Sequence, residues 1–358
     1  MRILAAIIFF NSLFFGAFSQ GVVFDSEDLA KVKDKYSTHG VERAITPSRK
    51  SLAQYLPYAS TYDQGNTSMC VAYSLAVCRT VLYAKNMRIY SKQSISNNGF
   101  SPLFIYYNNS TNDSKCTNGL YLYKALTFVE ETGFVQLKDV EYPNYYPYKS
   151  TRADCEKYPY SNSIDLANAG KHKVDNIWVA ENIDDIKFYI SNDMPIMSFL
   201  NPLPGHFHQS GEEGVVFWDR YKSVQCYGTT KKRARCRNRT RNVEGFCHLH
   251  LAQTPDIGHC VSVIGYDDDK YGGAVQIFNS AGSSWGVNGL IWVKYTDLIF
   301  LCKESPFLGV ALEKNYEDVF SGGSTVKIQE IDSALVDQND FGLFNYLQSF
   351  RNDSLYTD

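Results

Sequence analysis

The sequence lacks an apolar run long enough to cross a membrane and lacks an excess of charge of either sign. The N-terminal apolar run, Ile3–Phe10, is too short for a stable span, which needs about 20 apolar residues. No cysteine stands after this segment in a position to carry a lipid. The formal net charge is −3 over 358 residues, so the overall charge predicts no particular partner. The partner and the chemistry have to be inferred from local motifs.

The N-terminus contains the pattern of an export signal. Met1-Arg2 precede the apolar run, and Ala17-Phe18-Ser19 provide a small-residue end. This arrangement predicts a signal peptide over residues 1–19, cut before Gln20, with a buried core helix as the alternative. We therefore expect an exported protein, secreted or periplasmic.

The remaining chain divides into an arm, a main domain and a tail. Residues 20–50 are polar and show no strong periodicity, which predicts an arm or linker, or alternatively a short pro-segment. Residues 51–314 form the main domain, and a hydrophobic content of 44% allows a large core. The tail over residues 315–358 is acidic and weakly patterned, so we expect it to be ordered only in part.

A cysteine stands at the start of a long apolar segment. From Val71 to Ala84 almost every residue is apolar, which predicts a helix buried on most faces. We expect Thr67 or Ser68 to cap it, so that the Cys70 sulfur lies at the helix N-terminus, where the thiolate is favoured. Gln64 on the preceding loop can turn its amide toward the same point and hold an oxyanion together with the Cys70 N–H. A structural cysteine in a core helix is the alternative.

A predicted hairpin brings a histidine and an asparagine together. Two apolar runs of strand length, Gly258–Tyr266 and Ala274–Asn279, flank a polar Asp/Gly turn. Pairing about a centre near residue 270 sets His259 almost opposite Asn279. Cross-strand Cβ atoms lie about 5 Å apart, so the amide oxygen can accept from the imidazole and orient it. A nucleophile, a base and an orienting residue are then all present.

These motifs resemble those of the papain-like cysteine peptidases, most closely their bacterial secreted branch. Gln64-Gly65 and Cys70–Ser74 match the nucleophile motif, His259–Tyr266 the histidine strand, and Asn279–Gly289 the Asn-Ser-Trp-Gly motif. The likeness runs from about Leu52 to Glu313. It implies an α+β fold of two lobes, a helical lobe and an antiparallel sheet lobe, with a cleft between them. It also implies hydrolysis of peptide or protein substrates.

The resemblance implies a role for each site residue. Cys70 would attack the scissile carbonyl, His259 would transfer the proton, Asn279 would orient His259, and Gln64 would stabilise the oxyanion. Ala281 replaces the tryptophan that shields the Asn–His bond in the family, so we expect a wetter bond here. A weak or inactive binding protein on the same fold and an acyltransferase or transpeptidase with the same triad are the alternatives.

The other cysteines of the main domain are interpreted in the same way. Cys116 and Cys155 fall near disulfide positions of the family, and a bridge or two buried thiols are both open. Cys78, Cys260 and Cys302 stand in apolar runs, so we expect them to be packed in the core.

The order of predicted elements agrees with an α+β chain. Gly99–Tyr107 and Leu120–Thr132 predict helices early in the domain, whereas the chain after residue 174 is rich in strands. Ile183–Ile190 predicts a further helix, Pro195–Leu200 a strand, and Leu290–Tyr295 another strand.

A short basic insertion precedes His259. Residues 222–250 contain eight Lys/Arg and one acid, which gives this segment a charge of about +7. Cys226, Cys236, Cys247 and His250 can form a closed Cys₃His zinc shell, and so short a segment rarely folds without a metal or disulfides. The spacing resembles a small bacterial zinc-binding module, which implies these four ligands. A Cys226–Cys236 disulfide is the alternative.

We expect the zinc to be structural, with no cofactor needed for the chemistry at Cys70. The basic residues of the insertion predict either contact with a polyanion or a solvated positive face.

Overall fold

The computed structural model describes residues 21–23, 25–36, 45–110, 116–139, 168–201, 215–216, 223–226, 228–232, 234–241, 247–250 and 258–314. All of them belong to one compact unit, Met1–Asn315. The expected signal peptide, the acidic tail and Cys155 lie outside the described residues. Within the described part, no helix has the length and apolar character needed to cross a membrane.

The helices lie mainly in the first half of the chain. They are α1 (Ser26–Lys35), α2 (Cys70–Asn86), α3 (Lys92–Asn97), α4 (Pro102–Asn109), α5 (Leu122–Glu131), α6 (Ile183–Ser191) and α7 (Tyr295–Leu301). Helix α2 is buried along almost its whole length, as its continuous apolar sequence predicts. Helix α4 has the expected cap, because the Ser101 side chain accepts a hydrogen bond from the Phe104 N–H.

Most described strands join one sheet. They are β1 (Arg49–Ser51), β2 (Asn176–Ala180), β3 (Ile196–Leu200), β4 (Val215–Val216), β5 (Val224–Gln225), β6 (Arg239–Thr240), β7 (His259–Asp267), β8 (Ala274–Phe278), β9 (Leu290–Lys294) and β10 (Gly309–Glu313). The sheet order is β2-β10-β3-β7-β8-β9-β4, with β1 paired to β7, and β5 and β6 form a separate pair. Only the β4–β9 pairing is parallel among these ladders.

Helix α2 connects the helices to the sheet. It packs against α4 and α5 on one side and against β7 and β3 on the other, and its buried side chains belong to the same apolar cluster as the strands. The α+β architecture, with helices first and an antiparallel sheet afterwards, is therefore confirmed. The first residue of α2 lies beside the first residue of β7, and this junction holds the candidate site.

The N-terminal arm is more ordered than its weak periodicity indicates. Residues Ser26–Lys35 form helix α1, whose N-cap Asp25 accepts from the Glu27 N–H at 2.9 Å. Leu29 and Val32 are buried against α5. Three or four apolar residues in ten give a weak periodic signal, so the pattern alone missed a helix that tertiary packing stabilises.

Candidate active site

The Cys70 sulfur lies at the N-terminus of α2, but the expected cap is wrong. The residue before Cys70 occupies the capping position and makes no side-chain hydrogen bond to the helix. The Thr67 hydroxyl donates to the Gln64 carbonyl at 2.7 Å, and the Ser68 hydroxyl donates to the Thr117 carbonyl at 2.7 Å. Because both hydroxyls hold the preceding loop in place, the first N–H groups of α2 receive no side-chain cap.

His259 and Asn279 are joined as the hairpin pattern predicts. The His259 Nε2 lies 2.7 Å from the Asn279 Oδ1. A β-bulge between Val263 and Gly265 shifts the β7–β8 register, and the two residues lie just beyond the paired part of that ladder. If Nε2 carries the proton and donates to the amide oxygen, the Nδ1 side of the ring faces Cys70.

Cys70 and His259 change each other's pKa. Burial alone raises the pKa of the Cys70 thiol, but hydrogen bonds with Cys260 and His259 and the imidazolium charge outweigh it and hold this pKa well below its ordinary value. Burial alone lowers the pKa of His259, whereas its bond to Cys70, the thiolate charge and the bond to Asn279 raise it overall. Both shifts favour a thiolate–imidazolium pair over a neutral thiol and imidazole.

The expected exposure of the Asn–His bond is wrong. Asn279 is 1% exposed and His259 is 5% exposed, although Ala281 stands where the family has a shielding tryptophan. Trp285 is also buried in this loop, at 4% exposure. The bond is thus shielded from water by the surrounding chain as a whole, and one small side chain does not open it.

Gln64 lies in the site through two bonds of its side chain. Its Nε2 donates to the Thr67 carbonyl at 2.9 Å, and its Oε1 accepts from the Ser280 hydroxyl at 2.5 Å. The Gln64 N–H also donates to the Ser280 carbonyl at 2.8 Å. A side-chain amide can donate twice, so the bond to Thr67 is compatible with a second one. Ser280 was not identified from the sequence, although it directly follows Asn279.

Cys260 also contacts Cys70, which the sequence analysis missed. The Cys260 N–H donates to the Cys70 Sγ at 3.3 Å, and the two thiols interact as well. Cys260 is buried, as expected for a packed cysteine. Its position directly after His259 is the signal that could have placed it beside Cys70.

The N-terminal segment Gly21–Val23 runs between the two walls of the site. The Val22 N–H donates to the Gly258 carbonyl at 3.3 Å, directly before His259. On the other side, the Val23 N–H donates to the Leu120 carbonyl at 3.1 Å, and the Leu120 N–H donates to the Gly21 carbonyl at 2.8 Å. A Cβ at Gly21 would overlap the Ser68 carbonyl oxygen, two residues before Cys70. This segment therefore connects a residue beside His259 with residues on the helical side, close to Cys70 in the chain.

Helix α1 attaches the segment to the helical lobe. Helix α5 has no capping side chain of its own, and Asp28 of α1 takes that place by accepting from the Leu122 and Tyr123 N–H groups at 2.8 and 3.1 Å. At the other end of α1, Lys35 forms an ion pair with Glu130 at 2.7 Å. The arm is thus fixed at both ends of α5.

Comparisons with known proteins agree with this architecture. No protein-family model matches the sequence, and no curated protein sequence matches it. Among solved structures, xylellain, a cysteine protease from Xylella fastidiosa, is similar with a TM-score of 0.56 and 17% identity, over 83% of this chain and 96% of that one. Digestive procathepsin L 3 of Tenebrio molitor larval midgut is similar with a TM-score of 0.51 and 13% identity, over 84% and 78%. The chain has the papain-like fold.

The four predicted metal ligands of this papain-like chain lie together. The sulfurs of Cys226, Cys236 and Cys247 and a ring nitrogen of His250 all lie within 4.8 Å of one another. The three cysteines are free thiols, so the alternative of a Cys226–Cys236 disulfide is not what the structure shows. A cluster of three thiols and one imidazole can hold a metal ion.

The distances between the ligand atoms of the cluster fit tetrahedral coordination of a metal ion. The Cys236 and Cys247 sulfurs are 4.0 Å apart, and the His250 Nδ1 lies 3.3 Å from the Cys247 sulfur and 3.6 Å from that of Cys226. Zn–S bonds of about 2.3 Å at tetrahedral angles put sulfurs about 3.8 Å apart. The Gly228 N–H donates to the Cys226 sulfur at 3.3 Å.

Cys116 is disulfide-bonded. Its expected partner, Cys155, lies outside the described residues. Cys78 and Cys302 are buried free thiols, as predicted from their apolar surroundings.

Proposed function

We propose that this chain is a secreted cysteine endopeptidase, similar to the bacterial secreted branch of the papain-like peptidases. The observation that carries the proposal is the buried pair of Cys70 and His259, with His259 hydrogen-bonded to Asn279 at 2.7 Å, and the opposite pKa shifts that the two groups cause in each other support it. A purely structural cysteine needs neither a lowered pKa nor an oriented imidazole. Structural neighbours that are cysteine proteases support the same reading.

Each group has one task in the proposed reaction. The Cys70 sulfur attacks the scissile carbonyl carbon, and the negative charge that develops on the oxygen is stabilised by the Cys70 N–H and the Gln64 amide. His259 gives its proton to the leaving amine and then accepts one from the water that releases the acyl group. Asn279 keeps the imidazole in the required tautomer.

The test uses an epoxysuccinyl inhibitor, which reports a reactive thiolate without knowledge of the substrate. Intact mass of the purified protein should show a single addition, and peptide mapping should place it on Cys70. Cys70→Ala should abolish the addition, whereas Cys78→Ala, which removes another buried thiol of α2, should label normally. Equal labelling of the Cys70→Ala variant would refute the assignment. Cleavage within a long peptide, away from its termini, distinguishes an endopeptidase from an exopeptidase. A free carboxyl group on the released acyl fragment in the presence of an added amine distinguishes hydrolysis from acyl transfer.

Residues 21–36 are proposed to be a short pro-segment and not a passive linker. The support is their position, since Gly21–Val23 bridges Leu120 and Gly258 across the approach to Cys70 while α1 holds the segment on α5. Removal of the signal peptide at Gln20 would leave this segment in place. N-terminal sequencing of the exported protein should therefore begin at Gln20 before activation and beyond α1 after it.

The Cys₃His cluster is proposed to bind structural zinc. Cys226, Cys236, Cys247 and His250 supply four ligands, which fills a tetrahedral shell and leaves no position for a reactive water. The zinc would hold residues 222–250 together and take no part in peptide hydrolysis. Metal analysis of the purified protein should find about one zinc per chain by this ligand count. Absence of zinc combined with a disulfide between two of these cysteines would contradict the proposal.

The insertion also presents a basic surface that we propose contacts a polyanion. Lys231, Lys232, Arg237 and Arg241 are exposed, and neutralising several anionic groups makes such binding depend on salt. Retention on immobilised heparin should fall when Lys231 and Lys232 are both replaced by Ala. Replacement of the exposed pair Lys171 and Lys173, which lies outside the insertion, is the matched control. Equal retention of both variants would indicate a solvated face without a partner.

A further inference from the structure

A second cysteine lies against the Cys70 sulfur, and the proposed hydrolysis does not use it. Cys260 is 1% exposed and its N–H donates to the Cys70 sulfur at 3.3 Å. Since a Cα lies about 1.5 Å from its own amide nitrogen, the Cys260 Cα lies within about 5 Å of that sulfur. Each of the two thiols also shifts the pKa of the other.

The two sulfurs differ in protonation. His259 and the donors from Cys260 hold the pKa of Cys70 well below its ordinary value, which favours its thiolate. Burial, and after it the neighbouring Cys70, raise the pKa of Cys260 well above its ordinary value. When Cys70 is oxidised to a neutral sulfenic acid, its charge no longer raises the Cys260 pKa, and Cys260 can attack as it loses its proton.

We propose that Cys70 and Cys260 form a reversible disulfide, which makes this site a redox-controlled one. The bond would join the start of α2 to the start of β7 and would occupy the nucleophile. Its regulatory meaning rests on the proposed peptidase function, whereas the bond itself does not. The other buried thiols of the main domain, Cys78 and Cys302, have no such contact with Cys70 among the described interactions.

The chemistry balances with hydrogen peroxide as the oxidant. The Cys70 thiolate attacks one peroxide oxygen, the O–O bond breaks, and Cys70 becomes a sulfenic acid while hydroxide leaves. The Cys260 sulfur then attacks the Cys70 sulfur, the S–S bond forms, the S–O bond breaks, and the hydroxyl leaves as water with the Cys260 proton. Two molecules of a small thiol reverse the step: the first breaks the S–S bond and forms a mixed disulfide with one cysteine. The second attacks that mixed disulfide, so that both cysteines are released in the reduced form and the two small thiols leave as their own disulfide.

The second thiol would protect Cys70 from irreversible oxidation. Without a neighbouring thiol, a sulfenic acid is open to further peroxide and passes to the sulfinic acid, which small thiols cannot reduce. Cys260 would intercept Cys70 before that point. The nucleophile would then be stored in a form that a reducing environment restores.

The experiment treats the full chain with hydrogen peroxide, blocks the remaining thiols by alkylation, and maps the peptides by mass. In the wild type a cross-linked pair of peptides containing Cys70 and Cys260 should appear, two hydrogens lighter than their sum. Dithiothreitol should then restore labelling of Cys70 by the epoxysuccinyl inhibitor. Cys260→Ser should lose the cross-link, gain two oxygens on Cys70, and recover at least about tenfold less labelling than the wild type after reduction.

The controls separate the two proposals. Cys78→Ser should form the cross-link like the wild type, and Cys260→Ala serves as a second variant if the serine disturbs folding. Every variant is first labelled without peroxide, which shows whether Cys70 is reactive. If Cys70 is not labelled even in the wild type, the peptidase proposal fails. If Cys70 is labelled but peroxide yields no Cys70–Cys260 cross-link, whether Cys70 stays reduced or is over-oxidised, the redox proposal is overturned.

Discussion

Two clusters of cysteine and histidine in this molecule are held in place in different ways. Cys70, His259 and Asn279 lie where α2 meets the sheet, and the residues around them belong to one large apolar core. Cys226, Cys236, Cys247 and His250 lie beside the two short strands β5 and β6, and the three cysteines form a small buried cluster of their own. In the first cluster the fold positions the reactive groups. In the second, we propose that the groups hold the local fold through a bound ion.

This difference explains why similar residues serve opposite purposes. A rigid core can hold a thiolate and an imidazolium together without a ligand, so the sulfur stays available for reaction. A segment with almost no apolar core would gain its stability from metal–ligand bonds under the zinc proposal, and its sulfurs would then be bound to the ion. The His250 ring packs directly against the backbone of Gly228, where a Cβ would overlap the ring.

Removing the metal should have the largest effect, and it should change the Cys₃His segment while leaving the Cys70 site unchanged. Binding of a structural zinc stabilises a small module by about 10 kcal/mol, so a strong chelator should unfold residues 222–250. Hydrogen exchange should show loss of protection there, while β7 and β8 stay protected and Cys70 labels at its usual rate. Immediate loss of Cys70 labelling on chelation would show that the insertion shapes the site.

His259→Ala should remove the chemistry without unfolding the core. General acid–base catalysis contributes about 10²- to 10⁴-fold, and hydrolysis should fall by a factor in that range. The bond and charge that lower the Cys70 pKa would be lost, so this pKa should rise and labelling at neutral pH should slow. Labelling should return as the pH is raised. A variant that labels at neutral pH like the wild type would contradict the ion pair.

Asn279→Ala should lower hydrolysis less than His259→Ala, by about tenfold, since loss of an orienting bond leaves the base in place. The bond to Asn279 raises the pKa of His259, so this pKa should fall in the variant. The alkaline limb of the pH–rate profile should therefore move to lower pH, while the acid limb, set by the lowered Cys70 pKa, should move little. A profile that loses height without moving its alkaline limb would indicate a structural role only.

Gly21→Ala should have the smallest effect and should increase reactivity. The added Cβ meets the Ser68 carbonyl, which should weaken docking of the N-terminal segment and speed labelling of Cys70 by about threefold, the equivalent of about 0.7 kcal/mol. Gly170→Ala is the matched control, because a Cβ there meets nothing within 4 Å. Unchanged labelling in the Gly21→Ala variant would show that the segment does not limit access to Cys70.

The sequence by itself determined the fold class, the hairpin and the members of both clusters. Continuous apolar residues after Cys70 specify a buried helix, and two apolar runs around an Asp/Gly turn specify a hairpin. These are local patterns, and the hairpin register follows from the turn. The His259–Asn279 bond could therefore be predicted, because both residues lie on the same hairpin.

Only the tertiary structure decided which distant groups meet Cys70. Contacts of Cys260 and of the Gly21–Val23 segment with the site join residues far apart in the chain, and no local pattern encodes such distances. The same holds for Asp28, which caps α5 from another helix. Thr67 and Ser68 are good capping residues by sequence, but in the structure their hydroxyls donate to the Gln64 and Thr117 carbonyls instead of capping α2. Tertiary packing determines which donors and acceptors lie close enough to form a hydrogen bond, and this packing depends on the whole chain.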